Sequence, residues 1–302
     1  MPINTDSSIT ANELKMTCRI ALCLSYNGYQ YHGWQSQQSG IPTVQQAIEK
    51  ALSIVANESI SVICAGRTDK SVHSSYQVVH FDTTAKRDPR SWVFGCNANL
   101  PRDISVLWAG SVQEDFHARF SATSRRYNYV IFNHPIRPAN FSTELTWFHS
   151  PLDASSMHSA AQYLVGKHDF TSFRAVGCQS KSPVRTLEFV NVTRYGNIVL
   201  LDIKGNAFLH HMVRNIAGVL MAIGSGKEEV DWCSEVLAAR DRTKASVTAP
   251  PFGLFLIQVD YPDEFKIFKS SGAPSLIQAM INTPLGQVEG DEDMWKIAYL
   301  DR

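Results

Sequence analysis

Chemistry concentrates around Asp69. In Cys64-Ala65-Gly66-Arg67-Thr68-Asp69-Lys70-Ser71-Val72-His73, an arginine, a hydroxyl, a carboxylate and an imidazole fall within seven residues. A carboxylate can act as nucleophile or general base, and a guanidinium can grip phosphate. On a loop held by a rigid sheet, such groups reach a substrate while the scaffold fixes their geometry. An ordinary turn would use the same residues differently, with Asp69 accepting backbone N–H groups and Arg67 solvated. A second cluster, Phe116-His117-Ala118-Arg119-Phe120 followed by Arg125-Arg126-Tyr127, mixes arginines with rings. That composition suits phosphate contacts and base stacking, and edge-strand charges that suppress aggregation would explain it equally cheaply.

The third candidate is Arg214. A helix beginning near Phe208 puts His210 and Arg214 on one face, while Met212, Ile216, Val219, Leu220 and Ile223 are apolar. A charged arginine on so apolar a helix calls for a buried acid elsewhere in the chain. Adjacent helical residues diverge by about 100 degrees, so His210 and His211 are not expected to share a metal. No third ligand stands at metal spacing beside them.

Strands must position these groups. Ser59 to Cys64 alternates with period two and Gly66 ends it, while Tyr76 to Phe81 resumes the pattern, so Asp69 falls on a loop between strands. Thr17 to Tyr26 reads as a strand, Asn27-Gly28 as a turn, and Tyr29 to Gln35 as an aromatic loop that is either a core plug or a stacking surface for bases. Capping-box spacing at Thr43-Val44-Gln45-Gln46 and one apolar face predict a helix over 43–56. A helix near Ser91 to Ala98 and strands Ile104 to Val112 and Arg125 to Phe132 complete the first half. The second half reads as helix Ser155 to Val165, strands Leu187 to Tyr195 and Ile198 to Lys204, the Arg214 helix, and a last strand Gly253 to Val259. This is an α+β pattern of mostly antiparallel sheet with helices on one face. We divide it into a polar extension 1–16, an N-terminal domain 17–135 carrying Asp69, a C-terminal domain 136–262, and a tail 263–302 expected to be peripheral or mobile.

Composition excludes little. The chain has 28 basic and 28 acidic residues, so a nucleic acid would have to be held by local patches. Asp263 onward carries seven acidic and four basic residues, leaving 24 basic against 21 acidic before it. Six cysteines without C-x-x-C spacing fit reduced thiols, and no apolar leader or membrane-length run is visible, so a soluble cytoplasmic protein is expected.

Seven blocks in order resemble the tRNA pseudouridine synthase A family across residues 17 to 262: Gly66-Arg67-Thr68-Asp69 with Val72-His73, Asn97-Ala98-Asn99-Leu100-Pro101, Phe116 to Ala122, Arg125-Arg126-Tyr127, Asp169 to Arg174, Gly205 to Asn215, and Gly253-Leu254. The resemblance implies two α+β domains joined into one extended sheet with a basic central cleft, and a homodimer that binds tRNA. It implies conversion of uridine to pseudouridine in the anticodon stem-loop, at about tRNA positions 38 to 40, on a base taken out of its stack. It makes Asp69 the catalytic carboxylate, Arg214 its ion-pair partner and Tyr127 the ring that stacks on the target base. Leu254 would line the pocket. Arg67, His73, Arg119, Arg125, Arg126, Arg174 and His211 would contact the substrate. Neither a cofactor nor a metal is implied. Two departures stand out. Lys70-Ser71 replaces the usual Ala-Gly, which argues against a strained glycine backbone at 71, and Ser36 stands where an arginine is common.

The reaction fits the residues. The bond from ribose C1′ to N1 must break and one to C5 must form, which an ionised Asp69 could promote as nucleophile or by proton removal, with Arg214 favouring the charged form. A noncatalytic RNA-binding module would explain the basic and aromatic loops without needing Asp69, whose charge opposes phosphate. A metal-dependent hydrolase would recruit Asp69, His73 and the His210-His211 pair, and would fail without its metal.

Overall fold

The computed structural model describes residues 17–37, 40–269, 274 and 277–279. The polar extension 1–16 and nearly all of the chain beyond 269 lie outside the described residues. One sheet runs through both halves. In the first half β1 (Cys18–Tyr26) pairs antiparallel with β3 (His73–Thr83), and β4 (Ile104–Val112) covers the other edge of β1. The run Ser59 to Cys64, expected as a full strand, pairs only as β2 (Ile63–Cys64) against His80 and Val79. Helix α1 (Val44–Ala56) starts where the sequence places it, with the Thr43 side chain accepting the Gln46 N–H, and stops at Asn57 in the left-handed region. Helix α2 (Pro89–Asn99) begins two residues early because Asp88 caps it and Pro89 occupies the first turn. Asn97 then clamps Val106 by both amide atoms, which gives the Asn97 to Pro101 block a structural task.

In the second half β5 (Ser124–Asn133), β9 (Ile198–Gly205), β8 (Val184–Tyr195) and β7 (Gly166–Asp169) follow one another, with β6 (Thr146–Phe148) on an edge of β5. The joint is β10 (Leu254–Asp260), which lies between β3 and β5. It meets β3 in parallel at only two positions, Phe255↔His73 and Leu256↔Ser74, and runs antiparallel along β5. The sheet is therefore mixed but mostly antiparallel. Beyond Ser74 the edge of β3 is taken by β2, and the loop 65–72 enters where β3 and β10 part.

Alternation along β3 serves two cores. Val79 and Phe81 join Leu22, Leu24 and the buried faces of α1 and α2. Tyr76 and Val78 join a larger core with Tyr127, Tyr129, Leu254 and Leu256 beneath α3 (Ala154–Ala161), α4 (Met212–Gly224) and α5 (Trp232–Ala239). Each half thus has helices on one face, and the two helical layers lie on opposite faces of the shared sheet. Of the tail 263–302, expected to be peripheral or mobile, the described start is packed, and most of the rest lies outside the described residues. Phe265 and Ile267 are buried in the larger core, and Phe265 packs edge-on against Phe116 at 5.2 Å. Among the described residues no helix is long and apolar enough to cross a membrane, and all six cysteines are free.

A buried histidine makes this core acid-sensitive. His80 is 2% exposed and its Nδ1 accepts the Ala118 N–H at 3.1 Å, so the folded ring is neutral. Burial, then the charge of Arg19, lowers its pKa from 6.5 to about 4. As pH falls through 6.5 the unfolded chain takes up a proton that the folded one refuses, so stability drops until about pH 4. The loss is on the order of 3 kcal/mol. Urea unfolding at pH 7.5 and pH 5 should show it, and His80→Asn should flatten the slope; equal slopes in both proteins would contradict this.

Candidate active site around Asp69

Asp69 is held from below and from the side. Ala65 donates its N–H to Val78 O at 2.8 Å, and Gln77 brackets Gly66, accepting its N–H at 3.3 Å and donating to its carbonyl at 2.6 Å. Thr68 is buried, with its hydroxyl 2.9 Å from Tyr26 Oη and its carbonyl accepting from Trp34 N–H at 3.0 Å. The aromatic loop is therefore a plug: Tyr31 and Trp34 are buried under the Asp69 loop, while Tyr29 and His32 are exposed. Ser71 corrects the reading of Lys70-Ser71. Its φ is +62°, so the left-handed backbone a glycine would favour persists, with its N–H on Tyr31 O at 3.2 Å.

Gly33 supports the same loop. Its φ is +93°, and a Cβ there would lie 2.8 Å from Thr68 O and 3.1 Å from the carbonyl carbon of Asp69. Gly33→Ala should push the Asp69 loop outward. We expect kcat to fall by roughly a hundredfold, the cost of about 1 Å of misplacement, with the fold retained. Full activity in a Gly33→Ala protein would show that the loop position is not critical.

The second wall comes from the start of α4. The sequence predicts a helix from Phe208; the structure starts it at Met212, after His211 at φ +61°. That shift overturns the argument that His210 and His211 point apart. Both rings turn to Asp69, His210 Nε2 lying 3.3 Å from Oδ1 and His211 Nε2 3.4 Å from Oδ2. The Arg214 guanidinium sits 3.4 Å from the same Oδ2 and donates Nε–H to Ala249 O at 2.8 Å. Ala249 N–H in turn bonds Arg214 O, so the 247–249 segment locks the arginine to the helix. Gly218 permits that approach, since a Cβ there would lie 2.1 Å from Val247 O. The imidazole of His211 is kept below its usual pKa by burial, against the pull of the Asp69 charge. Asp69, His210 and His211 offer ligand atoms within 4.8 Å of one another, the one such group among the described residues. Arg214 already faces Oδ2, and its positive charge would repel a cation bound there.

Tyr127 faces the loop. Its ring packs edge-on to Phe208 at 5.0 Å, and its hydroxyl lies 3.7 Å from where a Gly66 Cβ would be. Burial first, with the Asp69 charge adding to it, pushes the phenol up to about 12, so the hydroxyl is protonated at neutral pH. Leu254 is buried on the same face of the sheet, opposite Tyr129 in register.

The remaining expected contacts divide. Arg67 and Arg119 are exposed, and no ion pair engages either among the described residues. Arg174 is half-buried in the 171–175 turn, whose Ala175 N–H bonds His210 O. Three others are occupied within the protein. Arg125 is buried and gives its terminal N–H groups to the carbonyls of Ala122, Asn206, Ala65 and Arg119, which ties the second cluster to the Asp69 loop. Arg126 points to the other face, paired with Asp202 at 2.5 Å and lying over Phe189. His73 is buried, accepts the Gly28 N–H at Nδ1 and meets Thr143 O through Nε2. The sequence weighs His210 only as a metal ligand and gives no site role to Gly33, Gln77 or Ala249. Of these last three only Gly33 left a local signal, as a glycine inside an aromatic loop.

A carboxylate on a loop, an arginine from the facing helix and a tyrosine beneath them thus meet where two halves of one sheet part. The chain belongs to the tRNA pseudouridine synthase family, whose profile matches residues 22–121 and 160–262. It is 60% identical over 249 residues to tRNA pseudouridine synthase A of Pseudomonas aeruginosa, covering 82% of this chain and 87% of that one. The protein of the same name from Alcanivorax borkumensis is 54% identical over 82% of this chain and 93% of its own. That of Escherichia fergusonii is 56% identical over 85% of this chain and 94% of its own.

Proposed function

We propose that the protein isomerises uridine to pseudouridine in tRNA, at uridines of the anticodon stem-loop, with the Asp69 carboxylate acting at ribose C1′. The observation that carries this reading is the meeting of Asp69 with Arg214, His210 and His211 above Tyr127. In the reaction the C1′–N1 bond breaks and a C1′–C5 bond forms, N1 gains a proton and C5 loses one. Nothing else is consumed. Asp69 attacks C1′ or removes a proton to open a glycal route; in either case the ionised carboxylate is the working form, and Arg214 stabilises it. The target base must leave its stack to reach a carboxylate set this far into the sheet, and Tyr127 with Leu254 would hold the detached ring. Arg67 and Arg119, exposed beside the loop, would meet phosphates. By the same reading the protein works as a cytoplasmic homodimer.

The test is incubation of purified protein with unmodified tRNA transcripts, with and without a chelator, followed by mapping of pseudouridine. Product confined to the anticodon stem-loop and indifferent to the chelator is expected. Product elsewhere in the tRNA would overturn the assignment of the target, and loss of product with chelator would point instead to a metal held by Asp69, His210 and His211.

A further inference from the structure

Phe120 is 75% exposed on a turn that is otherwise tightly held. His117 fixes that turn: its Nδ1 accepts the N–H groups of Arg119 and Phe120, both at 3.2 Å, and its own N–H and carbonyl bond Ser121 Oγ and Ser121 N–H, each at 2.9 Å. Nδ1 can accept only while unprotonated, and burial together with Arg19 and Arg119 keeps the ring neutral. Behind it, His80 lies 4.9 Å from the His117 ring, and the buried Ala118 accepts from Tyr261 Oη at 2.6 Å. The Phe120 ring stacks on His117 at 4.3 Å and 28°, and the Arg119 guanidinium stands 5.6 Å from its centroid.

Among the described residues the ring rests on His117 and beside Arg119, yet most of Phe120 remains exposed. A large ring left in water on a rigid support, beside an unpaired arginine, is the composition of a nucleobase platform. The acidic neighbours Glu114 and Asp115 act on Arg19. Arg125 ties the turn to the site, since one guanidinium nitrogen bonds both Arg119 O at 2.6 Å and Ala65 O at 3.0 Å. A base held on Phe120 would therefore be fixed relative to Asp69.

We propose that the 117–121 turn is a stacking platform for an unpaired base of the RNA substrate, the base lying on Phe120 and Arg119 meeting the adjoining phosphate. This rests on the RNA-modifying reading above and assigns that site a second nucleotide contact, away from the reacting uridine. The charge at Arg119 and Arg67 favours an anionic ligand over an apolar protein surface, so a second copy of the chain is the alternative occupant.

The test compares Phe120→Ala, Phe120→Leu and Phe120→Trp in binding an unmodified tRNA transcript at fixed salt, with thermal melts and sedimentation of each protein alone. Stacking predicts that Ala and Leu bind about tenfold or more weakly and that Trp restores wild-type affinity, with unchanged melting and unchanged oligomeric state. Unchanged affinity in Phe120→Ala overturns the platform, as does full rescue by Leu, which would mean simple apolar contact. A dimer lost in Phe120→Ala also overturns it, because the ring would then be covered by a second copy. Failure of the reaction reading shows separately, as wild-type protein that makes no pseudouridine from the same transcript.

Discussion

Asp69→Asn is expected to fold, to bind tRNA as the wild type does, and to lose product formation by at least about a thousandfold. The amide matches the carboxylate in shape, so the contacts of Thr68 and Ser71 that hold the loop are undisturbed. It cannot serve as nucleophile or base at C1′. The amide also forfeits the charge that faces Arg214 and two imidazoles, but Asp69 is only partly buried, so solvent softens that loss. Melting temperature should therefore move little while turnover disappears. Residual turnover within tenfold of wild type would mean that another group does the chemistry.

Arg214→Met is the next largest effect. The guanidinium does two things at once: it faces Asp69 Oδ2 at 3.4 Å and donates Nε–H to Ala249 O at 2.8 Å. Methionine fills much of the volume and supplies neither contact. We expect kcat to fall by about a hundredfold or more, since charge placed in advance at a reacting centre is commonly the largest catalytic contribution. Arg214→Lys should recover only part of it, because a point ammonium cannot reach Asp69 and also replace the Nε bond to Ala249. Affinity for tRNA separates the roles. Weak binding with wild-type kcat would make Arg214 an RNA ligand and remove it from the ion pair.

Much of this site could be read from the sequence because its parts are local. The α1 cap at Thr43 and the alternation of β5, which sends Tyr127 and Tyr129 to one face and Arg126 and Asn128 to the other, depend on neighbours a few residues away. The pairing of Arg214 with a distant acid followed from the cost of an unpaired charge on an apolar helix, and Asp69 meets it across 145 residues of chain.

What escaped depends on contacts between distant segments. Nothing in Leu254 to Asp260 announces that this strand enters between β3 and β5, yet that insertion opens the gap the Asp69 loop fills. Periodicity carried the Arg214 helix back to Phe208, whereas His211 takes a left-handed conformation and both histidines turn to the carboxylate. Arg125 reads like a phosphate ligand until its four carbonyl partners are seen, contributed by three separate stretches of chain. Composition gave no sign that the first residues past Pro262 pack, yet Phe265 and Ile267 alternate into the core beside Phe116.

The most direct measurement is release of tritium from tRNA labelled at uridine C5. Moving the glycosidic bond to C5 displaces that hydrogen, whereas binding, cleavage or simple base loss leaves it in place. Wild-type protein should release label in step with the pseudouridine formed, and Asp69→Asn should release none while still binding the tRNA. Equal release by both proteins would contradict the role given to Asp69, and no release by the wild type would contradict the isomerisation itself.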